Sequence, residues 1–281
     1  MVNNVVLNNG VMMPKMGLGT HTLKGRSLIK TVRAAYRIGY RNFDTAWLYQ
    51  NEKSLKWALR FSGIKRNEIF ITSKIEWRQL ISGKSVEECL KGTLKRLGTD
   101  YIDLYLIHWP KPDMYQEMWK GLVKLYQAGY VRAIGVSSFL PEHIDTLSQV
   151  SEIVPAVNQI ELHPLNNRRD VVLYCQQKGI QVEAHSPFAR GSAASELMNN
   201  PVLSHIADNH GKTVAQVILK WILQQGIVTI PRSVHASRLK ENMDVFDFEL
   251  TIAEMQAIDA LNQDKYFGGD PRRTLPFISK V

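Results

Sequence analysis

Short apolar runs alternate with amphipathic segments along most of the chain. Eight runs of four to eight residues predict buried strands: KMGLG, RNFD, EIFITSK, YIDLYLIH, VRAIGVS, AVNQIE, IQVEAH and IVTIP. After each run, apolar residues recur at helical spacing. These segments predict eight helices, over about 27–38, 52–61, 85–97, 115–128, a stretch after Pro141, 169–178, 214–224 and 237–243.

Glycines follow several predicted helices at the position where a left-handed backbone often ends a helix: Gly39, Gly98, Gly129, Gly179 and Gly226. Strands that alternate with helices favour a parallel sheet, and eight such units close into a (β/α)8 TIM barrel of the α/β class. The competing open doubly wound sheet normally carries GxGxxG after an early strand, but GLGT at 17–20 lacks the third glycine. We therefore expect one catalytic barrel domain over residues 1–281.

Two segments lie outside this repeat. VVLNNGVMMP, at 5–14, predicts an N-terminal β-hairpin, because two apolar runs flank Asn9-Gly10, a pair that tolerates the positive φ angles of a type I′ turn. We expect this hairpin to act as a lid or plug. The segment 189–211 is an insertion before the seventh helix of the repeat.

The composition favours a soluble globular protein, with 44% hydrophobic and 22% charged residues. Cys89 and Cys175 lie in predicted helices without a CxxC partner, which argues against a disulfide framework or a zinc site. The sequence shows neither a secretory leader pattern nor an apolar run near the roughly 18 residues of a membrane span. We expect a cytoplasmic protein that does not enter a membrane.

The chain carries a formal net charge of +9. Its basic residues are scattered, as in Lys65-Arg66 and Arg168-Arg169, and no nucleic-acid-binding module is recognisable. We therefore expect no nucleic-acid partner. A cofactor that carries phosphate would account for part of the positive charge.

Three chemically apt side chains stand at the ends of consecutive predicted strands, where barrel enzymes place their chemistry. They are Asp44, Lys74 and His108, and Tyr49 follows in the second strand-to-helix loop. A phenol with a pKa of about 10 needs a nearby cation to become an efficient acid, which Lys74 would supply. Asp44 would keep Lys74 charged, and His108 could donate to a carbonyl oxygen.

Each of these residues also has a simpler interpretation. A single Lys or Asp at a strand end often belongs to a surface ion pair, and a single His is often structural. Glu161 and His163, with His108, could suggest a divalent metal, but no third and fourth ligand occur at a suitable spacing. We therefore predict no metal, and note that the four residues alone include no source of hydride.

The motifs FDTAWLYQNE, ITSK, LIHWP, GVSSF, VNQIELHP, SPFARG and IPRSVHASRLKEN, in this order, give the chain a strong resemblance to the aldo-keto reductases. The resemblance implies that Asp44, Tyr49, Lys74 and His108 form a catalytic tetrad. It also implies that NADPH binds extended across the barrel mouth and supplies hydride to a small carbonyl substrate, with Tyr49 as the proton donor.

The same resemblance assigns the remaining site residues. It places Ser137, Ser138 and Gln159 at the nicotinamide carboxamide, Thr20 and Asp44 near the ribose and pyrophosphate, Ser186 and Phe188 in the loop on the pyrophosphate side, and Arg232, Ser233, Val234, Arg238, Glu241 and Asn242 at the 2′-phosphate and adenine. Arginines suit this last role because a guanidinium offers several donors to a phosphate. Trp109 is the expected pocket wall, and Trp47 and Trp77 are further candidates that could equally belong to the core.

Four positions depart from the family's usual pattern. Ser138 replaces an Asn at the carboxamide, His185 replaces the aromatic ring that stacks on the nicotinamide, His21 replaces a Trp of the substrate pocket, and Arg232 replaces a Lys. The Arg suits a phosphate, whereas the other three leave cofactor affinity and substrate range open.

Two other functions stay open at this point. One is a non-catalytic relative that binds NADPH, against which the intact tetrad argues, and the other is a metal-dependent barrel hydrolase. For an active reductase, reactive aldehydes, α-dicarbonyls and keto-sugars are all admissible substrates. The family pattern suggests a monomer.

Overall fold

The computed structural model describes residues 3–272. Its strands are β1 (Asn4–Val6), β2 (Met12–Pro14), β3 (Gly17–Gly19), β4 (Asn42–Asp44), β5 (Phe70–Ile75), β6 (Ile102–Ile107), β7 (Val131–Ser137), β8 (Val157–Glu161), β9 (Gln181–His185) and β10 (Val228–Thr229). Its α-helices are α1 (Gly25–Ile38), α2 (Glu52–Phe61), α3 (Trp77–Ile81), α4 (Val86–Leu97), α5 (Tyr115–Gln127), α6 (Pro141–Ser148), α7 (Arg169–Gln177), α8 (Ser192–Met198), α9 (Pro201–His210), α10 (Val214–Gln224), α11 (Ala236–Met243) and α12 (Ile252–Asp259). Short 3-10 helices span Trp47–Tyr49 and Arg66–Glu68.

Strands β3 to β10 are parallel and pair in chain order. The first and last of them meet, because Met16 forms a parallel bridge with Thr229 and the Thr229 N–H donates to the carbonyl of Lys15 at 3.0 Å. The sheet therefore closes on itself. The predicted (β/α)8 barrel is confirmed, and barrel enzymes place their chemistry at the carboxyl end of such strands.

Local chemistry explains where individual helices begin and end. The Ser85 hydroxyl accepts from the Glu88 N–H at 3.2 Å and the Glu88 carboxylate accepts from the Ser85 N–H at 2.8 Å, which forms a capping box before α4. Gly98 then ends α4 with a φ of 68°. All five glycines that mark helix ends in the sequence have positive φ, as predicted.

The N-terminal hairpin closes the amino end of the barrel. Strands β1 and β2 are antiparallel, and Leu7 and Met13 pack against the buried Leu104 and Leu106 at the base of the barrel. The predicted hairpin is confirmed as a plug. The predicted type I′ turn is wrong: only Gly10 has positive φ, at 83°, and its N–H donates to the carbonyl of Leu7. The loop is therefore longer than a two-residue turn.

The segment 189–211 contains α8 and α9, and the sequence analysis did not predict these helices. It also missed α3 and the C-terminal α12. The Trp221 indole N–H donates to the Asp259 carboxylate at 2.8 Å, which ties α10 to α12. The main core lies between the barrel and its helices, where Trp119 and Trp221 are fully buried. Replacing either with alanine would cost about 3–5 kcal/mol of stability.

Cys89 and Cys175 are buried free thiols in α4 and α7. Within residues 3–272, no helix has the length and apolar character required to cross a membrane.

Candidate active site

The four predicted catalytic residues meet at the carboxyl end of the barrel. Asp44 is the last residue of β4, Lys74 lies one residue before the end of β5, and His108 follows β6 directly. Tyr49 ends the 3-10 helix that follows β4, and this short turn brings the phenol back over the strand ends. The barrel topology alone therefore gathers side chains that are up to 64 residues apart in the sequence.

Lys74 is the centre of this group. Its ammonium donates to Asp44 Oδ2 at 2.5 Å, to the carbonyl of Thr45 at 3.0 Å and to the Tyr49 hydroxyl at 3.4 Å. The side chain is fully buried and Asp44 is 2% exposed. A buried charge this well satisfied is held in one place, which makes the ammonium a fixed electrostatic partner for the phenol.

The environment shifts both titrating groups. Burial is the largest effect on Lys74 and favours its neutral amine, but the interactions with Asp44, Tyr49 and Glu183 together outweigh it and raise the pKa of Lys74, so the group stays cationic. Burial raises the pKa of Tyr49, the Lys74 charge acts in the opposite direction, and the Asp44 charge reinforces the rise. The net shift of the Tyr49 pKa is therefore upward, opposite to the effect of Lys74 alone, and the phenol is protonated near neutral pH.

Two histidine rings flank the phenol. The ring of His21 meets that of Tyr49 edge-on at 4.9 Å between centroids, and the ring of His108 meets it at 5.7 Å. Burial, with the charges of Arg190 and Lys74, lowers the pKa of His21 to about 4, so this imidazole is neutral near pH 7. His21 thus lies against Tyr49, and its role in the substrate pocket stays a prediction.

His108 has a carboxylate neighbour that the sequence analysis did not single out. Its Nδ1 lies 3.2 Å from Glu76 Oε2, and Glu76 is 2% exposed. The other Glu76 oxygen accepts from Arg78 Nη1 at 2.6 Å. Glu76 directly follows β5, the strand that carries Lys74. Its position just beyond this strand end is the sequence feature that could have identified it as a site residue.

The predicted carboxamide residues lie on neighbouring strand ends. Gln159 on β8 is opposite Ser137 on β7, and the Ser138 N–H donates to the Gln159 carbonyl at 2.8 Å. Ser138 has a φ of 62°, a strained conformation for a serine. The Gln159 amide nitrogen donates to Asp44 Oδ2 at 2.8 Å and to Glu183 Oε2 at 2.6 Å, which joins these residues to the tetrad.

His185 ends β9 and borders the same region. Burial is the main cause that lowers the pKa of His185 to about 3, so its ring is neutral. His185 Nδ1 lies 3.1 Å from the Ser186 hydroxyl, which also accepts from Arg190 Nε at 3.0 Å. Arg190 therefore places a positive charge near the mouth, a residue that sequence reasoning did not select. Phe188 is half-buried and packs on the main core.

A small cavity lies beside these residues. It is lined by Trp109, Ser138, Glu161, Arg168, His185, Tyr266, Gly268, Gly269 and Pro271. Trp109 thus lines this cavity, and its role as a wall of the substrate pocket stays a prediction. Trp77 and Trp47 are not among the lining residues: the guanidinium of Arg78 lies over the Trp77 ring at 4.3 Å, and Trp47 is half-buried in the 3-10 helix before Tyr49.

Glu161 fastens one wall of this cavity. Its carboxylate accepts from the N–H groups of Phe267 and Gly268 at 2.8 and 2.6 Å, and lies 3.2 Å from His163 Nε2. A Cβ on Gly268 would lie 2.8 Å from Glu161 Oε2, so a larger residue here would force the Glu161 carboxylate to move. Glu161 thus anchors the chain segment around Gly268 that borders the cavity.

No group of three or more potential metal ligands occurs in the described part of the chain.

The residues expected at the 2′-phosphate form a second region around α11. Arg232 donates to the Thr22 hydroxyl at 2.6 Å and Arg238 is exposed. Arg190, Arg232 and Arg238 form no ion pair within residues 3–272. Val234 is exposed, Ser233 accepts from the His235 N–H at 3.1 Å and Asn242 is buried. The Glu241 carboxylate accepts from Thr213 at 2.7 Å, so it faces α10.

Thr20 completes the predicted set. Its hydroxyl donates to the carbonyl of Asp44 at 2.7 Å, and its own carbonyl accepts from Asn51 Nδ2 at 2.9 Å. These bonds tie the first two strand-to-helix loops together beneath the phenol.

The tetrad geometry on a closed barrel agrees with the outcome of comparison with known proteins. The sequence model of the Aldo/keto reductase family matches residues 15–263. The chain belongs to the aldo/keto reductase family. This aldo/keto reductase is 45% identical over 274 residues to a glyoxal reductase from Bacillus subtilis (strain 168), with 97% of this chain and 98% of the relative covered.

Two further comparisons extend the result. The aldo/keto reductase is 40% identical over 269 residues to methylglyoxal reductase DkgA from Escherichia coli (strain K12), with 95% and 96% of the two chains covered. Its fold matches the crystal structure of a Bombyx mori aldo-keto reductase in complex with NADP at a TM-score of 0.83 and 34% identity, covering 95% of this chain and 94% of that chain. The protein is therefore an oxidoreductase of the carbonyl-reducing type.

Proposed function

We propose that this aldo/keto reductase reduces small reactive aldehydes and α-dicarbonyls to alcohols with NADPH, and that Tyr49 donates the proton. The observation that carries the proposal is the buried Lys74 ammonium, shared at 2.5 Å with Asp44 and at 3.4 Å with the Tyr49 hydroxyl. A phenol beside a fixed cation is suited to proton donation, because the cation stabilises the phenolate that forms.

The described residues fit an anionic dinucleotide. Arg190, Arg232 and Arg238 lack carboxylate partners within residues 3–272, and guanidinium groups without such partners suit phosphates. Gln159 gives both its amide N–H bonds to carboxylates, which leaves its amide oxygen as an acceptor for a carboxamide. Ser137, Ser138, His185 and Ser186 would surround the nicotinamide, and Arg232, Ser233 and Arg238 would hold the 2′-phosphate. When bound, NADPH supplies the hydride.

The chain's own groups perform the proton chemistry. The Tyr49 O–H donates its proton to the carbonyl oxygen as negative charge develops there, and Lys74 stabilises the resulting phenolate. Asp44 holds Lys74 in position and in its charged form. The His108 imidazole orients the carbonyl oxygen towards Tyr49, and Trp109 with His21 shields the reacting atoms from water.

The proposed substrates follow from the relatives. Relatives that are 40% and 45% identical carry the names methylglyoxal reductase and glyoxal reductase. These names favour small α-dicarbonyls over keto-sugars as the substrates of this chain. A single barrel as the catalytic domain, a cytoplasmic location and a monomeric state stay predictions.

The test is NADPH oxidation, followed by nicotinamide absorbance, with methylglyoxal as the carbonyl. Wild-type protein should turn over, whereas Tyr49→Phe should lose at least about a hundredfold in rate because it lacks the proton donor. NADPH binding, measured by fluorescence, should change little in this variant. A Tyr49→Phe protein that keeps more than a few per cent of the wild-type rate would remove Tyr49 from the proposed role.

A further inference from the structure

Glu183 is a second buried carboxyl group in the barrel, beside the Asp44–Lys74 pair. It lies in the middle of β9, opposite Gln159 on β8 and Val228 on β10, and it has no exposed surface. Burying a carboxyl group without a full set of partners is costly, and such groups concentrate at functional sites. The proton-donation chemistry described above does not use it.

One side-chain amide connects Glu183 to the catalytic group. Gln159 Nε2 donates to Glu183 Oε2 at 2.6 Å and to Asp44 Oδ2 at 2.8 Å. Ionised carboxylate oxygens only accept, so the amide nitrogen must face both of them. This arrangement fixes the amide orientation and leaves the Gln159 oxygen as the remaining acceptor.

We propose that Glu183 is a positioning residue for hydride transfer. Its carboxyl group fixes the orientation of the Gln159 amide, so that the amide oxygen is free to accept from the nicotinamide carboxamide, and it also places a second ionisable group beside Lys74. The inference rests on the proposed function, because it assigns that contact to Gln159. Glu183 acts through Gln159 and Lys74 and does not touch the reacting atoms. Hydride transfer is sensitive to such positioning, since small misplacements of reacting groups lower rates strongly.

The groups packed around Glu183 determine its protonation. Asp44 and Asn42 face it from β4, Lys74 from β5 and Gln159 from β8, while its pairing partner Val228 on β10 carries no charge. Burial, and then repulsion by Asp44, raise the pKa of Glu183 to about 7. Its Oε1 has no hydrogen-bond partner in the described part of the chain, so a proton can reside there while Oε2 still accepts from Gln159.

This arrangement gives a definite direction to the pH dependence. Above about pH 7 the ionised Glu183 attracts Lys74, which then stabilises the Tyr49 phenolate less well. Proton donation should therefore slow as the pH rises through 7. The raised pKa of Glu183 also makes the stability of the fold depend on pH. The contribution of protonated Glu183 is fully present below about pH 4.3, the pKa of Glu in the unfolded chain, and is lost as the pH rises through 7, the pKa in the folded chain.

Two substitutions separate the role of Glu183 as a hydrogen-bond acceptor from the role of its negative charge. Glu183→Gln keeps an oxygen that can accept from Gln159 but cannot ionise, whereas Glu183→Leu removes both. Glu52→Gln is the matched control, because Glu52 is a buried carboxylate bonded to Ser73 at 2.8 Å and paired with Arg96, with no hydrogen bond to the tetrad. Each full-length protein is followed by single-turnover hydride transfer from NADPH to methylglyoxal between pH 5.5 and about 9.

We expect Glu183→Gln to transfer hydride within about threefold of wild type at pH 6 and to lose the decline above pH 7. Glu183→Leu should be about tenfold slower across the whole range, with a smaller change in the NADPH dissociation constant. Glu52→Gln should keep the wild-type pH profile. Infrared difference spectra of the protein without cofactor should show a carboxylic acid band that titrates near pH 7 in wild type and disappears in Glu183→Gln.

An unchanged pH profile in Glu183→Gln, or a titrating band that survives this substitution, would overturn the inference. If Glu183→Leu does not fold, the Glu183→Gln profile and its infrared spectrum still decide. A wild-type protein that reduces no carbonyl with NADPH would instead overturn the proposed function, while the infrared titration would still show whether Glu183 ionises near neutral pH.

Discussion

The two ends of the proposed cofactor site hold their charges in opposite ways. At the reacting end, Lys74 is fully buried and bonded to Asp44 at 2.5 Å, in a low-dielectric interior. At the phosphate end, Arg232 and Arg238 lie in solvent without ion pairs among the described residues. The buried end is organised before any ligand arrives, so it suits chemistry. The exposed end acquires its partners only on binding, so it suits affinity and selectivity.

Lys74→Met is the substitution with the largest expected effect on the buried end. We expect hydride transfer to fall about a thousandfold, because the phenolate of Tyr49 loses its stabilising cation. The change also leaves Asp44 buried without a counter-ion, which costs about 3–5 kcal/mol of stability. Single-turnover kinetics and thermal unfolding measure the two effects.

Lys220→Met is the matched control for that substitution. Lys220 is 5% exposed and pairs with Glu249 at 2.8 Å on the outer side of the fold. It should keep the wild-type rate. Equal rate losses in both variants would mean that Lys74 acts only through stability.

The exposed end is tested by changing Arg232 and Arg238 together to alanine. Each lost charge-assisted contact with a phosphate weakens NADPH binding by about 1–2 kcal/mol, so the preference over NADH should fall on the order of 100-fold. The loss should be larger at low ionic strength, because salt screens exposed charges. Unfolding temperatures should barely move.

Dissociation constants for both cofactors at two salt concentrations provide the measurement. Arg60→Ala, on α2, removes another exposed arginine and should leave the ratio of the two constants unchanged. If the double variant still prefers NADPH as strongly as wild type, other residues must bind the 2′-phosphate.

The sequence was sufficient to predict the barrel and the grouping of the candidate catalytic residues, because the parallel strands of a barrel end on the same face. The catalytic role of these residues stays a prediction. Asp44, Lys74 and His108 each close an apolar run, and parallel strands bring their carboxyl ends together. The type of turn at Asn9-Gly10 was harder to predict from the sequence, since a glycine tolerates positive φ in several loop types. Helices α3, α8, α9 and α12 fall outside the eight-fold repeat, so the repeat gave no reason to expect them.

Three carboxylates near the site have contacts that the local sequence pattern does not show. Glu183 stands inside the run IQVEAH, where a polar residue in a strand usually faces solvent, and only barrel closure turns it inward. Glu161 was considered as a possible metal ligand. In the structure its carboxylate accepts hydrogen bonds from two backbone N–H groups about a hundred residues further along the chain, and no side-chain pattern predicts such bonds. Glu76 required knowledge of how the loop after β5 folds back on His108.

Glu76 allows a finer test of the buried end. Glu76→Gln removes the negative charge 3.2 Å from His108 Nδ1 while preserving the shape of the side chain. A charged neighbour of this kind contributes about 1.5 kcal/mol, so kcat/KM for methylglyoxal should fall about tenfold. Glu68→Gln, an exposed carboxylate that accepts from Tyr36, should have no effect. A Glu76→Gln enzyme as fast as wild type would show that His108 is oriented without this carboxylate.

The smallest effect concerns His185, which borders the buried end but carries no charge. Its pKa is lowered to about 3 in the folded chain, whereas in the unfolded chain it is about 6.5. Between these values the unfolded state binds a proton that the native state excludes, so stability is fully present above pH 6.5 and is lost as the pH falls. At pH 5 the full loss is about 2 kcal/mol, and partial solvent contact of the ring reduces it to about 1 kcal/mol. His185→Tyr should therefore lose about 1 kcal/mol less stability than wild type between pH 7 and pH 5, as measured by urea unfolding at each pH. His205→Tyr, at an exposed position on α9, should follow the wild-type curve. If His185→Tyr shows the same acid sensitivity as wild type, His185 takes up its proton without loss of stability, and the low-dielectric interior inferred for the reacting end does not extend to the end of β9.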